Sequence, residues 1–269
     1  MKKKNANQIR GSLDLLEEAV HLLRQAPLSV LLRYFIGTFP FLLGFLYFWA
    51  DMSRGPFAHR YVAEAAFGVS LLYIWMKCWQ SAFCTSVYSH LMGRPLEKYS
   101  VGRMLRLVAT QLILQPYSLF VQPVALLILL PFGWTFAFFQ NLLLVGDGRD
   151  LDLRKIMRTS WRLASLWPAQ NHRLLLVLLV FTMIVFLNIG IALLMIPQLL
   201  NILFGIETVF TLSGMQMLNT TFLSVVAALT YLCIDPLIAV VYTLRCFYGE
   251  SVETGADLLA ELKSLPKAS

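Results

Sequence analysis

From Leu112 to Val145 the chain reads LILQPYSLFVQPVALLILLPFGWTFAFFQNLLLV, 34 residues without one Asp, Glu, Lys or Arg. One bilayer crossing takes about 20 apolar residues, so this run is too long for a single span. Pro131-Phe132-Gly133 marks where a helix stops and turns back. The run therefore predicts two linked helices, out and straight back, with Pro131 and Gly133 as the structural turn. Composition extends the argument to the whole chain. At 58% hydrophobic and 14% charged residues, one soluble core cannot hide the apolar side chains and leave a wettable surface. Lipid is the solvent for most of the molecule.

The predicted fold is an all-α polytopic membrane helix bundle of about six transmembrane helices, with amphipathic helices on the cytosolic face. Residues 1–29 form a cytosolic tail with one amphipathic helix over 12–25. On it, Leu13, Leu16, Val20 and Leu23 share a face, and Asp14, Glu17, Glu18, His21 and Arg24 take the other. Such a helix suits the headgroup region or the protein's own inner side. The bundle occupies 30–245, with spans near 30–50, 62–88, 104–130, 134–145, 174–200 and 221–245. Pro116 and Pro123 each invite a kink in the third span. Residues 246–269 form a cytosolic tail, where Leu258, Leu259 and Leu262 suggest a short amphipathic turn. The basic N-terminus lacks the apolar core of a signal peptide and is expected to remain on the mature protein.

Between Gly146-Asp147-Gly148 and the fifth span lies a basic amphipathic helix, 150–167. Arg154, Arg158 and Arg162 recur every fourth residue beside Lys155, opposite Leu153, Ile156, Met157, Trp161 and Ala164. That pattern fits contact with an anionic lipid surface or with an acidic partner protein.

Charge orients the bundle. Lys and Arg number six up to the start of the first span (Lys2, Lys3, Lys4, Arg10, Arg24, Arg33) and two in the next connection (Arg54, Arg60). Four follow over 89–106 (Arg94, Lys98, Arg103, Arg106), six over 146–173, and none in the last loop. Basic segments stay cytoplasmic, so 89–106 and 146–173 share a side and an even number of crossings separates them. Both termini are then cytoplasmic, and the expected location is an inner (cytoplasmic) membrane.

Two charges lie inside spans, Lys77 and Asp235. Lys77 precedes His90 by 13 residues and Asp235 precedes Arg245 by 10. At 1.5 Å per residue their depths are roughly 20 and 15 Å, so the two form a candidate intramembrane ion pair. A snorkelling Lys77 and an Asp235 that caps a break at Pro236 are the structural alternatives. The four cysteines show no C-x-x-C and read as buried thiols. His21, His59, His90 and His172 build no His-carboxylate cluster, and neither a nucleophile elbow nor a phosphate loop is present. No catalytic, metal or cofactor site and no nucleic-acid partner is expected.

The sequence LLILLPFGWTFAFFQNLLLVGDG, then IMRTSWRLASLW, then DPLIAVVYTLRCFYGESVETGADL resembles a broad group of bacterial six-helix proteins. That group is similar to the membrane domain fused to some glycerophosphodiester phosphodiesterases. The likeness covers about half the chain. It falls on Pro131 and Gly133, Asp147 and Gly148, Arg158 to Leu163, Tyr242 and Arg245, and Gly255 with Asp257 and Leu258. It implies a six-helix membrane fold without the catalytic barrel. The expectation is thus a non-catalytic scaffold or subunit of a membrane complex. Its partners are anionic inner-leaflet lipid and other membrane subunits or further copies of itself. The alternative is a small transporter, channel or lipid-handling protein that uses Lys77 and Asp235.

Overall fold

The computed structural model describes residues 11–95, 99–128, 132–205 and 219–255. The structure is 89% helix, with no strand among the described residues. In chain order the helices are α1 (Ser12–Gln25), α2 (Leu28–Arg54), α3 (Ala58–Leu91), α4 (Val101–Leu114) and α5 (Pro116–Ile128). They continue with α6 (Phe132–Val145), α7 (Leu153–Ser165), α8 (Pro168–Phe204) and Thr220–Thr254, here α9. Pro131, Lys98, the N-terminal lysines with Arg10, and the tail with Asp257, Leu258, Leu259 and Leu262 lie outside the described residues.

Among the described residues four segments are long and apolar enough to cross a membrane: α2, α4 with α5 (Val101–Ile128), α8, and Thr220–Val252 of α9. The α3 helix has ample length, 34 residues, but is not among them because its inner face is polar. Gln80, Ser81, Thr85, Ser86 and Ser89 are all buried. The α6 helix is apolar but has 14 residues, about 21 Å at helical rise, against about 30 Å of hydrocarbon. Pro116 divides the expected third span into α4 and α5, because its missing N–H and fixed φ favour a first-turn position. Pro123 is accommodated inside α5.

Helix starts follow local chemistry. Ser100 accepts the Arg103 amide, Asp152 accepts those of Arg154 and Lys155, and Asn219 accepts that of Phe222. Each bond satisfies an otherwise orphan donor. The core collects at one end of the bundle, where Leu15 and Ala19 of α1, Tyr34 of α2, Phe83 of α3, Leu174 of α8 and Leu244 of α9 are buried together. The α1 helix is docked on this end by Ser12 Oγ donating to Gln170 O (3.1 Å) and Tyr248 OH to Glu18 Oε1 (2.6 Å). Its buried face is Ser12, Leu15 and Ala19, whereas Leu13 and Val20 are exposed. The expected apolar stripe is therefore rotated, because the helix packs on α8 and α9 and not on its most hydrophobic line.

The hairpin closes on itself. Arg103 of α4 reaches across to Asp147, just beyond α6: Nη2 donates to Asp147 Oδ2 at 2.7 Å and Nε to Asp147 O at 3.2 Å. Arg106 Nε donates to Gly148 O at 2.9 Å. The chain thus enters α4 and leaves α6 at the same place. Gly148, at φ 79°, lies so close to α4 that a Cβ there would meet Arg103 O at 2.4 Å and Leu107 N at 2.9 Å. Only glycine fits both the conformation and the approach.

Candidate functional site

Two polar features stand out from the apolar bundle. The first surrounds Asp235, 9% exposed in the middle of α9. Its Oδ2 accepts hydrogen bonds from Tyr34 OH of α2 (2.8 Å) and from Gln80 Nε2 of α3 (2.7 Å). Gln80 Nε2 also lies 3.2 Å from Tyr231 OH, one helical turn before Asp235. On the far side of the same amide, Lys77 Nζ donates to Gln80 Oε1 at 3.0 Å, and the ammonium stands 5.5 Å from the centre of the Tyr73 ring. Tyr73 OH bonds Ser118 Oγ of α5 at 2.8 Å.

The sequence pairs Lys77 with Asp235 directly, and the structure places them in one cluster with Gln80 between them. An amide offers an acceptor at one end and a donor at the other, so it satisfies the ammonium and the carboxylate together. The expected ion pair thus becomes a relay: helical spacing sets Gln80 one turn beyond Lys77, on the α3 face turned to α9. A buried carboxylate held by neutral donors stays hydrogen-bonded but is not neutralised in place, so it can take up a proton or a cation without losing a salt bridge. Tyr231 was readable as the i−4 neighbour of Asp235. Tyr34 was not, because nothing in the sequence sets the rotation of α2 against α9.

The second feature is the inner end. The α7 helix buries Ile156, Ser160, Leu163 and Ala164, chiefly against α6, where Asn141 Nδ2 donates to Ser160 O (3.2 Å). Arg154, Lys155, Arg158 and Arg162 are exposed. The expected apolar stripe is split. Ile156 and Ala164 point inward, while Met157 and Trp161 stand outward among the cations, Trp161 at 54% exposure. A helix this tightly held by α6 presents the mixed face of a membrane-surface element while its purely apolar face is spent on the protein itself. Lys155 Nζ bonds Asp150 Oδ2 at 2.6 Å. This bond holds the Asp150 carboxyl below its ordinary range and the Lys155 ammonium above its own.

Arg103, Asp147 and Arg149 form a buried-to-surface ion cluster, with Arg149 Nε 3.1 Å from Asp147 Oδ2. At the opposite end of α6, Asn171 fastens three elements. Its Nδ2 donates to Gly133 O (2.6 Å), and its Oδ1 accepts from Tyr242 OH (2.9 Å) and Arg245 Nη1 (2.8 Å). Arg245 Nη2 donates to Leu166 O (2.9 Å) just before α8. Gly133 is thus part of the first turn of α6, not of a reverse turn. It is small because a Cβ would meet His172 Nε2 at 3.0 Å and Asn171 Nδ2 at 3.2 Å. Cys84 and Cys246 are buried thiols, Cys78 is half-buried and Cys233 exposed, all without disulfides. Among the described residues no group of three His, Cys, Asp or Glu is placed to hold a metal.

The fold and these two features define an all-helical chain with four segments, among the described residues, long and apolar enough to cross a membrane. No family model, no curated protein and no solved structure matches it.

Proposed function

We propose that the chain is a non-catalytic integral membrane protein that acts as a scaffold or subunit of a membrane complex, its basic inner face binding anionic lipid or partner proteins. One observation carries this reading: α7 is fixed to α6 by its apolar side and turns Arg154, Lys155 and Arg158 outward beside Trp161 and Met157. Cations next to an exposed indole match the anionic interface of an inner leaflet in both charge and depth. In the topology that goes with it, α2, α3, α8 and α9 cross, and the α4–α6 hairpin leaves and re-enters at the inner face. Both termini lie in the cytoplasm of a bacterial cell. The likeness to the membrane domain of glycerophosphodiester phosphodiesterases, without their barrel, fits this role.

The experiment is native mass spectrometry of the full chain released from nanodiscs with and without phosphatidylglycerol. Retention of several anionic lipids, reduced by Arg154→Gln with Arg158→Gln, is the expected result. Equal retention of zwitterionic and anionic lipid by both proteins rejects the reading.

The Asp235 relay favours a second reading, a small transporter or channel in which the carboxylate carries a proton or cation. Asp235→Asn that keeps thermal stability but abolishes proton-coupled uptake in proteoliposomes would select it.

A further inference from the structure

The α8 helix is the most apolar span in the chain and the least covered, with only 11% of its apolar window buried inside the molecule. Its contact side is identified by Gly190, where a Cβ would meet Val226 Cγ1 of α9 at 3.8 Å, and by the half-buried Phe186, Ile189, Leu193 and Pro197. At 100° per residue the opposite side carries Ile184, Asn188, Ile191, Met195, Gln198 and Ile202. All six are exposed, with Ile184 at 50% and Ile191 at 58%. Their spacing alternates four and three, the seam of a heptad.

Asn188 is out of place on that face. It lies 15 residues beyond Arg173, about 22 Å along the helix and so within about 30 Å of hydrocarbon. Its one hydrogen bond among the described residues runs from Nδ2 to Ile184 O of its own helix, 2.7 Å. The carbonyl oxygen and the second N–H of the amide face lipid, where an unmet polar group is costly. An amide is donor and acceptor at once and complements itself. All copies of the chain insert the same way, so two α8 helices meet in parallel with both Asn188 side chains at one depth. A symmetric contact of this kind is closed and self-complementary.

We propose that α8 is the homodimer seam of this protein, with Asn188 paired to Asn188 of a second copy across a two-fold axis and Ile184, Ile191 and Met195 packed on either side. The inference rests on α8 crossing the bilayer and gives the scaffold reading its first partner, a second copy of this chain. A polar residue at one seam position sets register and copy number, as in soluble coiled coils. Its hydrogen bond in lipid is worth a loss of about three- to thirty-fold in association when removed.

The test uses the full chain in liposomes, with single-molecule photobleaching across a dilution series in lipid. The wild type is expected to be dimeric, Asn188→Leu to dissociate about three- to thirty-fold more readily, and Asn188→Gln to restore association. Asn188→Leu places an apolar side chain in lipid and leaves the fold intact, which the melting temperature checks. In a Cys233→Ala background, Ile191→Cys is expected to cross-link between copies and Ile189→Cys on the contact side is not. A wild type that stays monomeric at all dilutions, cross-linking through 189 in place of 191, or a different protein bound along this face each overturns the proposal. Labelling of Ile191→Cys by a membrane-impermeant maleimide rejects the span itself, and with it the membrane role from which the dimer was inferred.

Discussion

The Gln80 relay makes a quantitative claim about two charges that never touch. Lys77 Nζ is 3.0 Å from Gln80 Oε1, and Gln80 Nε2 is 2.7 Å from Asp235 Oδ2. Allowing for the amide between them, the charges are no more than about 8 Å apart. At an effective dielectric near 20 their attraction is then about 2 kcal/mol, compared with about 5 kcal/mol for direct contact at 3 Å. A double-mutant cycle with Lys77→Met and Asp235→Asn reads this term, with stability measured by reversible unfolding in mixed micelles. Lys77→Met alone leaves the buried carboxylate with neutral donors and is expected to cost about 2 kcal/mol. In the Asp235→Asn background the same substitution is expected to cost close to nothing, because Asn keeps an oxygen that accepts from Tyr34 and Gln80. A coupling within about 0.5 kcal/mol of zero refutes the electrostatic link. A coupling of about 5 kcal/mol means that the two side chains meet directly and that Gln80 is a bystander.

Three further outcomes follow from the inner end. Gly148→Ala forces a Cβ onto the backbone of Arg103 and Leu107 at a positive φ, and a loss of at least about 1–3 kcal/mol is expected in the same unfolding assay. Asn171→Leu strands Tyr242 OH and one arm of Arg245 inside the core and removes the second bond to Gly133 O; a cost of about 3 kcal/mol or more is expected, and a neutral result refutes the clasp. At the surface, the Asp150 carboxyl is depressed by Lys155 and the Lys155 ammonium is raised by Asp150. The contribution of Asp150 is present above the ordinary carboxylate range and is lost as pH falls through its lowered value. That of Lys155 is present below the ordinary lysine range and is lost as pH rises through its raised value. In a carbon-detected NMR titration Asp150 is expected to titrate below an ordinary aspartate and to move upward in Lys155→Met.

The residues legible in advance were those whose environment is set by their own segment. The helix over 12–25 appears with the expected bounds because its stop is written in Pro27. The cationic row on α7 is exposed because four-residue spacing fixes a face whatever packs behind it. What stayed hidden was the rotation of one helix against another. Leu13 and Val20 share an apolar face with Leu16 and Leu23 in the sequence yet are exposed, and Trp161 parts from Ile156 and Ala164, because the packing face is chosen by the shape of α6, α8 and α9 and not by the largest apolar residue. Hydropathy and length set α3 and α6 apart from the four longer apolar segments for opposite reasons. Serines, Thr85 and Gln80 lower the apolarity of α3 while facing other helices, where Thr85, Ser86 and Ser89 return their hydrogen bonds to the preceding turn, at Ser81 O, Ala82 O and Thr85 O. The α6 helix has the apolarity of a span without its length. The parity argument from charge needs only that the two ends of the hairpin share a side. The 2.7 Å bond from Arg103 to Asp147 joins those ends through a single pair of side chains. A guanidinium at one end of the hairpin and a buried carboxylate at the other bring the start of α4 and the end of α6 together, whatever path the helices between them take.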